Sequence, residues 1–368
     1  MKDLSIVVNG MKFDNPFVIG SGPPGTNKRT IAKSWDEGWG GVVCKTISLE
    51  SNKVINTIPR YGRLKSLKTG EIIGFENIEL ISDRPYDQWL SEFRELKKKY
   101  PKKILIASVM EEYSKDRWQK IIKEVQECGV DGFELNLSCP LGLPERKMGA
   151  AMGQDSNFCN SVVKWVCEVA TVPVWAKMTP NITDITVPAL AAVESGAVGI
   201  SAINTILSVI QVDLKTLRPE PSVEGYSVPG GYSAQAVRPI ALRMVMETAR
   251  ALPKNVSISG IGGVECAGDA IQFMLLGAST VQVCTGVMLH GYKLVHELKT
   301  GLSKFMEEHQ FNSVQEFVGK SLPYFTTHAD LVQRQKAAKK SAKAGMTSLD
   351  NEWSGDEIAE QTNKLSMS

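Results

Sequence analysis

The chain has 368 residues, of which 43% are hydrophobic and 22% are charged, and its formal net charge is +2. This balance gives no reason to expect nucleic acid or an anionic membrane as a partner, and no run of 18 apolar residues could span a bilayer. The length and composition are typical of a globular enzyme with one large core, a common outcome for α/β barrels.

Short apolar segments alternate with longer amphipathic segments along the chain. They follow an N-terminal stretch, residues 1–10, that has no signal or transit character and ends in an Asn-Gly turn. The predicted strands are 17–20, 41–45, 104–109, 132–138, 172–178, 198–204, 256–260 and 280–284. The predicted helices include 113–128, 156–170, 184–195, 236–252 and 266–276. Eight buried parallel strands separated by helices predict a closed (β/α)8 TIM barrel.

A doubly wound open sheet is the competing architecture. It would need a phosphate-binding loop after the first strand, and residues 20–25 lack the G-x-G-x-x-G spacing. Two long insertions, 49–82 and 209–232, follow the second and sixth strands, so both should lie where barrel enzymes build their sites. We expect a barrel domain over residues 1–330 and, over 331–368, a helix and polar tail outside the barrel, with a dimer interface as one place for them.

Seven cysteines are dispersed along the chain, and no two of them form a C-x-x-C pair. Zinc fingers, thioredoxin-like chemistry and clustered iron–sulfur ligation are therefore not expected, and no His, Asp or Glu cluster has metal-ligand spacing. Dispersed single thiols indicate a reducing compartment. We therefore expect a cytoplasmic protein, or a plastid protein if a transit peptide has been removed.

Polar side chains collect where the predicted strands end. Lys45 and Thr46 end the second strand, and Lys177 ends the fifth. A lysine inside an apolar strand costs several kcal/mol unless its charge meets a partner, and snorkelling to solvent explains two such lysines poorly. Two cations at the barrel mouth suit an electron-rich ring that gains negative charge on reduction, so a flavin fits.

Glycine-rich turns follow the last two strands, at Gly262-Gly263 and at Thr285-Gly286. Backbone N–H groups of such turns form the usual phosphate site of barrel enzymes. A Gly-Gly turn alone is more often structural. Its coincidence with the two lysines, at the expected strands, indicates a phosphate-bearing cofactor.

Three amides, Asn77, Asn136 and Asn204, are predicted to lie at the barrel mouth, with the hydroxyls of Ser138 and Thr205 beside them. Each amide alone would more often be a turn or cap residue. Together they offer donors and acceptors, which suits a flat ring edged with C=O and N–H groups.

Cys139 lies where the fourth strand gives way to a Gly- and Met-rich loop, residues 141–154. A thiol whose pKa is adjusted from about 8.5 can act as a general acid, and Gly142, Gly149 and Gly153 could let the loop carry it in and out. A protease-like nucleophile is not expected, because all four histidines lie late in the chain and at none of the strand ends.

These motifs resemble those of the dihydropyrimidine dehydrogenases. The segments that carry the resemblance are 77–82, 136–140, 145–155, 176–185 and 281–286. The match covers roughly residues 5–335, looks closest to the short plant-type form, and is more distantly similar to the flavin barrel of dihydroorotate dehydrogenase.

The resemblance implies FMN in the barrel mouth and NADP-linked reduction of uracil or thymine to the 5,6-dihydropyrimidine, the first step of pyrimidine catabolism. It implies hydride from flavin N5 and a proton from Cys139. The residues that it assigns to FMN are Ser21, Lys45, Thr46, Lys177, Gly231, Ser233, Ile261, Gly262, Gly263, Cys284 and Thr285. Those that it assigns to the pyrimidine are Asn77, Asn136, Ser138, Asn204 and Thr205.

Two positions depart from the family pattern. Leu141 stands where many relatives have a histidine, and Ala234 replaces a glycine in the turn at residues 230–234. The chain also has no ferredoxin-like cysteine run, so electrons must come from outside: directly from NADPH, from a partner reductase, or from a small carrier. We expect a homodimer.

Two alternative functions stay open. A dihydroorotate dehydrogenase would share the barrel, the flavin and the strand-four motif, but no lysine or arginine is evident beside the asparagines for the carboxylate of orotate. The other alternative is a non-catalytic flavin-binding subunit of a larger reductase.

Overall fold

The computed structural model describes residues 2–138 and 149–343. The strands in this part of the chain are β1 (Ile6–Val8), β2 (Met11–Phe13), β3 (Phe17–Ile19), β4 (Gly41–Val43), β5 (Tyr61–Lys65), β6 (Ile72–Asn77), β7 (Ile104–Val109), β8 (Gly132–Asn136), β9 (Val174–Lys177), β10 (Gly199–Ala202), β11 (Ile206–Ser208), β12 (Gln211–Asp213), β13 (Arg218–Glu220), β14 (Gly230–Ser233), β15 (Ser257–Ile261) and β16 (Thr280–Val283). The helices are α1 (Lys28–Glu37), α2 (Tyr86–Lys99), α3 (Lys115–Gln126), α4 (Ala150–Gly153), α5 (Ser156–Cys167), α6 (Thr186–Glu194), α7 (Arg238–Ala251), α8 (Ala267–Leu275), α9 (Thr285–His290), α10 (Leu294–Glu308) and α11 (His328–Lys343).

Eight parallel strands close into a barrel in the order β3-β4-β7-β8-β9-β10-β15-β16, so each strand pairs with the next barrel strand along the chain. The predicted TIM barrel is confirmed. Every residue of β7 and β8 is buried, because one face of each strand meets the barrel interior and the other meets the helices. Such strands lack the polar alternation of a sheet with one solvated face.

Six of the eight barrel strands end earlier than predicted, whereas β7 ends as predicted and β15 ends one residue later. The fourth strand ends at Asn136 and not at Ser138. The Ser138 N–H donates to the Asn136 side chain at 3.3 Å, so the backbone has already left the ladder.

An N-terminal hairpin, β1–β2, covers the opposite end of the barrel. Its turn residues Asn9 and Gly10 have φ of 49° and 81°, the backbone that tight hairpins require. Asn9 Nδ2 donates to Ser257 Oγ at 2.8 Å, at the start of β15. The hairpin therefore closes the amino ends of the strands, and the mouth at their carboxyl ends is the end left for a site.

The two long insertions join in one antiparallel sheet of order β11-β14-β6-β5. Gly231 of the second insertion pairs with Asn77 of the first, and Tyr232 pairs with Ile206. The sequence predicted that both insertions lie at the barrel mouth, but not that they pair. The pairing brings residues that are far apart in the chain to one wall of the mouth.

The chain divides into a unit spanning Met1–Leu322 and a second spanning Pro323–Ser368. In the second unit α11 begins at His328, where Thr327 Oγ1 accepts from the Asp330 N–H at 3.3 Å and caps the first turn. In the described ranges, no helix combines the length and hydrophobicity needed to cross a membrane.

Candidate active site

A cleft that encloses about 1020 Å³ of empty space, including solvent at its opening, lies at the carboxyl ends of the barrel strands. The barrel turns form its floor and sides, and the insertion sheet forms one wall. The predicted site residues that line it are Ser21, Lys45, Thr46, Asn77, Asn136, Lys177, Asn204, Thr205, Ser233, Ile261, Gly262, Gly263, Cys284 and Thr285.

Two predicted residues lie directly behind the lining. Ser138 is fully buried, and its Oγ accepts from Asn204 Nδ2 at 2.9 Å. Gly231 backs onto Thr205 and Asn77, so that a Cβ at this position would overlap the Thr205 hydroxyl. Both residues therefore support side chains of the lining and do not themselves form it.

Each strand-end lysine meets a carboxylate that was not among the predicted site residues. Lys45 Nζ lies 2.7 Å from Glu79 Oε2, and Lys177 Nζ lies 3.3 Å from Glu134 Oε1. The lysines are only 8% and 4% exposed, so neither snorkels to solvent. The cleft thus holds two buried ion pairs and not two unbalanced cations.

Sequence signals for these partners did exist. Glu134 lies two residues before Asn136 in an otherwise apolar strand, so alternation directs both side chains to the same side of β8. Glu79 lies two residues after Asn77, inside one of the motifs that carried the resemblance. A carboxylate at such positions needs a cation, because burial of an unpaired charge is costly.

The Lys45 pair extends into the first insertion. Glu79 Oε1 also accepts from Arg60 Nη1 at 3.1 Å, and Arg60 Nη2 lies 3.1 Å from Asp83. Burial and the neighbouring Glu79 raise the pKa of Tyr61, which lines the cleft and packs on Phe75 with ring centroids 5.4 Å apart. Arg60, Asp83 and Tyr61 gave no such signal in the sequence, because their placement depends on the insertion sheet.

The amides and hydroxyls form one hydrogen-bonded chain. Asn136 Nδ2 donates to Thr46 Oγ1 at 3.0 Å, and Thr46 Oγ1 lies 3.2 Å from Ser21 Oγ. Ser138 Oγ donates to Asn136 Oδ1 at 3.2 Å and accepts from Asn204, as described above. The residues predicted for the cofactor and for the pyrimidine therefore share one polar surface.

The third amide belongs to the insertion wall. Asn77 Nδ2 donates to the Gly231 carbonyl at 3.1 Å, across the pairing of β6 with β14. This bond orients the amide, so its Oδ1 remains as an acceptor for a ligand in the cleft. All three predicted amides are thus present in one cleft.

The Gly262-Gly263 turn has the backbone that only glycine adopts easily, with φ of 145° and 71°. A Cβ on Gly263 would lie 2.6 Å from the Ala234 carbonyl oxygen. Within the described ranges the N–H groups of this turn donate to no backbone carbonyl. The turn that begins α9 lines the same cleft, and its Thr285 Oγ1 lies 2.8 Å from Ser233 Oγ.

These features fit the FMN that the resemblance implies. The N–H groups of the Gly262-Gly263 turn, which donate to no backbone carbonyl of the described residues, can bind a phosphate, and the ion-paired lysines lie in the same cleft. Gln282 is 2% exposed and also lines the cleft, yet its Oε1 has no hydrogen-bond partner in the described part of the chain. A buried acceptor without a partner indicates that a ligand N–H or a water completes the site.

Cys284 is the cysteine that lines the cleft among the described residues. Burial raises the pKa of its thiol to about 11, although Lys177 and Lys45 act in the opposite direction. The thiol therefore stays protonated at neutral pH and is not an activated nucleophile. Its sulfur packs against Gly22, which has no room for a side chain.

Cys139, Leu141 and Gly142 lie outside the described residues. Of the other two predicted pivots, Gly149 has φ of 61°, and Gly153 ends α4 close against the Leu137 carbonyl. No group of three or more His, Cys, Asp or Glu in residues 2–138 and 149–343 could hold a metal ion.

Ala234 adopts a backbone conformation that favours glycine. Its φ is 76° and its ψ is −165°, a region populated almost only by glycine. The turn at residues 230–234 therefore carries backbone strain at Ala234.

Ala234→Gly should raise the stability of the protein by about 1 kcal/mol. Relief of about 1–3 kcal/mol of backbone strain outweighs the gain of about 0.5–1 kcal/mol in unfolded-chain entropy. Thermal unfolding at a fixed scan rate measures the effect. Ala189→Gly, in the middle of α6, is the matched control and should destabilise by about 1 kcal/mol. Equal destabilisation by both changes would show that Ala234 is unstrained.

Comparison with known proteins finds relatives whose names agree with one another. A family model described as "Dihydroorotate dehydrogenase" matches residues 3–306. The chain is 56% identical to "Dihydropyrimidine dehydrogenase (NADP(+)), chloroplastic" of Arabidopsis thaliana, over 99% of this chain and 88% of that protein. It is 44% identical to "NAD-dependent dihydropyrimidine dehydrogenase subunit PreA" of Escherichia coli K12, over 86% of this chain and 76% of that protein.

More distant relatives are dihydroorotate dehydrogenases. The chain is 34% identical to "Dihydroorotate dehydrogenase B (NAD(+)), catalytic subunit" of Pyrococcus horikoshii, over 87% of this chain and 98% of that protein. A crystal structure of the dihydroorotate dehydrogenase of Eimeria tenella in complex with ferulenol matches with a TM-score of 0.72. It is 20% identical and covers 87% of this chain and 88% of that chain, so this likeness concerns the fold.

Proposed function

From the membership of this chain in the dihydroorotate dehydrogenase family and, within it, in the dihydropyrimidine dehydrogenases, we propose its function. The chain is an FMN-dependent reductase of uracil and thymine. The product is the 5,6-dihydropyrimidine, and the reaction is the first step of pyrimidine catabolism. The observation that carries the proposal is the convergence of three amides and two buried lysines on one cleft.

The residues proposed to hold FMN form two groups, one for its phosphate and one for its ring. The Gly262-Gly263 turn and Thr285 offer N–H groups to the phosphate. Lys45 and Lys177 lie where they can meet the electron-rich edge of the ring. When bound, FMN supplies the hydride chemistry that protein side chains cannot perform.

The pyrimidine is proposed to bind to Asn77, Asn136 and Asn204, with Ser138 and Thr205 in support. Amide groups that both donate and accept complement a ring whose edge alternates C=O and N–H. A site built to bond such a ring discriminates strongly against one whose groups do not match, because its buried polar groups would then be left unpaired.

The charges of the cleft favour uracil over orotate. Among its described lining residues the cationic side chains are Lys45 and Lys177, and each is already paired with a carboxylate. The carboxylate of orotate would therefore enter a cleft without a free cation, at a desolvation cost. Uracil and thymine carry no such charge.

Cys139 is proposed as the proton donor to the substrate. Ser138, the residue before it, is buried at the edge of the cleft and bonded to Asn136 and Asn204. Cys139 directly follows Ser138 in the sequence. A thiol that reaches the substrate can protonate a developing carbanion as a general acid.

Anaerobic reoxidation of the reduced protein tests the proposed substrate. The purified protein should be yellow, and uracil should restore its oxidised spectrum faster than orotate at the same concentration. Faster reoxidation by orotate would instead support the dihydroorotate dehydrogenase alternative. A colourless protein that does not take up FMN would refute the proposal.

NADPH is the proposed electron source, either directly or through a partner reductase or carrier protein. The Arabidopsis relative is named for NADP(+), whereas the E. coli relative is named as a subunit of an NAD-dependent enzyme. Anaerobic titration with NADPH alone separates the two routes: full bleaching of the flavin means direct reduction, and no bleaching means that a partner is required. A reducing compartment, cytoplasm or plastid, suits the dispersed thiols.

A homodimer is proposed from the surface of the insertions. Val212, Leu214, Leu217 and Tyr226 expose apolar side chains on and beside β12 and β13. Clusters of exposed apolar residues mark association surfaces more often than free surface. Sedimentation at micromolar concentration should give a species of twice the chain mass, and Leu214→Lys combined with Leu217→Lys should shift it to the monomer. A wild-type monomer would contradict this proposal.

A further inference from the structure

Glu134 lies beneath the cleft, inside the barrel, and is 1% exposed. It belongs to β8, two residues before Asn136, which pairs with Lys177 of β9. Lys177 reaches back along its neighbour strand, so that its Nζ lies 3.3 Å from Glu134 Oε1. The ion pair therefore connects the floor of the cleft with the layer of side chains below it.

The second carboxylate oxygen of Glu134 is bound by two further strands. Its Oε2 accepts from Ser201 Oγ of β10 at 2.7 Å and from Gln282 Nε2 of β16 at 2.7 Å. Gln282 Nε2 also lies 3.2 Å from Ser259 Oγ of β15. Because a carboxylate only accepts, this arrangement fixes the orientation of the Gln282 amide.

Ser201 and Gln282 thus donate hydrogen bonds to Oε2, and Lys177 forms an ion pair with Oε1, so three strands hold the carboxylate from different sides of the barrel. Lys177 in turn has a defined position, because its partner cannot move without breaking bonds to Ser201 and Gln282. Lys177 and Gln282 both line the cleft. The network therefore positions the two side chains that form part of the cleft floor.

The other ion pair of the cleft, Lys45 with Glu79, is less isolated from solvent. Glu79 belongs to an insertion, and its charge is shared between Lys45 and Arg60, whose side chain is 31% exposed. The side chains of Lys177 and Glu134 are only 5% and 1% exposed. Charges in such surroundings act on their neighbours far more strongly than charges in water.

We propose that Glu134 is a positioning residue that holds Lys177 at the floor of the cleft and sets, through its own negative charge, how strongly the protein favours reduced over oxidised FMN. The inference rests on the proposed function, because it concerns the same cofactor. A negative charge next to the cleft floor would oppose the gain of electrons by a bound FMN, whereas the cation of Lys177 would promote it. Together the two charges would set how readily the bound cofactor is reduced.

Glu134→Gln tests the proposal because it removes the charge and keeps the size of the side chain. The bound FMN should become easier to reduce. We expect the preference for reduced over oxidised FMN to increase on the order of tenfold, equivalent to about 30 mV for a two-electron couple. Reductive titration against a reference dye measures the shift without any pyrimidine present. Reoxidation by uracil should slow at the same time.

Two control variants distinguish the effect of losing the Glu134 charge from an effect on the structure of the protein. Glu134→Asp keeps the charge and should leave the potential close to that of the wild type. Glu92→Gln removes a buried carboxylate on α2 that accepts from Arg84 and does not line the cleft. It should lower the thermal stability and leave the potential unchanged.

An unchanged potential in Glu134→Gln, with FMN bound, would overturn the inference and leave Glu134 a purely structural residue. If that variant does not fold, Lys177→Met and its combination with Glu134→Gln carry the test, and the double variant must have the higher potential of the two. Failure of the wild type to be reoxidised by uracil would refute the proposed reaction and leave this comparison intact. A protein that binds no FMN would refute both.

Discussion

Cys139→Ala is expected to lower turnover with uracil by about 10²–10⁴-fold, the usual scale of general acid catalysis. FMN should remain bound, because none of the residues proposed to hold the cofactor is changed. Reduction of the bound FMN by the electron donor should also keep its rate, since that step needs no proton from the thiol to the substrate. Stopped-flow measurement of the two half-reactions therefore distinguishes a proton donor from a residue that only shapes the loop.

Cys167→Ala is the matched control for loss of a thiol. Cys167 ends α5, and burial raises the pKa of its thiol to about 11, so it stays protonated at neutral pH. Turnover should be unaffected by its removal. If Cys139→Ala turned over uracil as fast as the wild type, the thiol would not be the proton donor. That result would favour the alternative in which the chain is a non-catalytic flavin-binding subunit.

Lys177→Met should both destabilise the protein and weaken FMN binding. The substitution leaves the Glu134 carboxylate buried without a cation, and removing one partner of a buried ion pair costs about 3–5 kcal/mol. It also removes a positive charge from the proposed flavin subsite. Denaturant unfolding of the apoprotein measures the first effect, and fluorescence titration with FMN measures the second.

The double variant Lys177→Met with Glu134→Gln separates these two effects. With both charges removed, stability should return most of the way to that of the wild type, whereas FMN affinity should not. Lys97→Met is the comparison outside the cleft: Lys97 Nζ lies 2.7 Å from Asp131, and Lys97 does not line the site. It should destabilise the protein and leave FMN affinity unchanged. A Lys177→Met protein that is fully yellow and fully active would contradict the assignment.

The ion pairs change the interpretation of the strand-end lysines. The sequence suggested two cations that offset the charge of a reduced flavin, and the structure shows that each has a carboxylate partner. The cleft is therefore closer to electrical neutrality than expected. Its effect on a flavin must come from the placement of the charges and not from an excess of positive charge.

Much of the site could be predicted because barrel topology is regular. Any polar residue at the end of a barrel strand faces the same mouth, so Lys45, Asn136 and Lys177 were placed together before their distances were known. The turn at Gly262-Gly263 was predicted for the same reason. These predictions needed only the strand periodicity and the order of the strands.

The insertion wall could not be predicted in this way. Asn77 and Gly231 meet because β6 pairs with β14, and Glu79 reaches Lys45 from the same insertion. Pairing between distant segments depends on register and on packing that no local pattern encodes. The strain at Ala234 is a further example, because a positive φ at a non-glycine residue results from its surroundings.

The pattern of amino acids was enough to predict the eight-stranded barrel and the end of it at which chemistry takes place, because burial and strand alternation leave a periodic record in the chain. The partners of the two lysines, the sheet that walls the cleft and the network under Glu134 emerged only in the folded molecule. These features depend on distances between side chains of different strands, and such distances are set by the closure of the barrel as a whole.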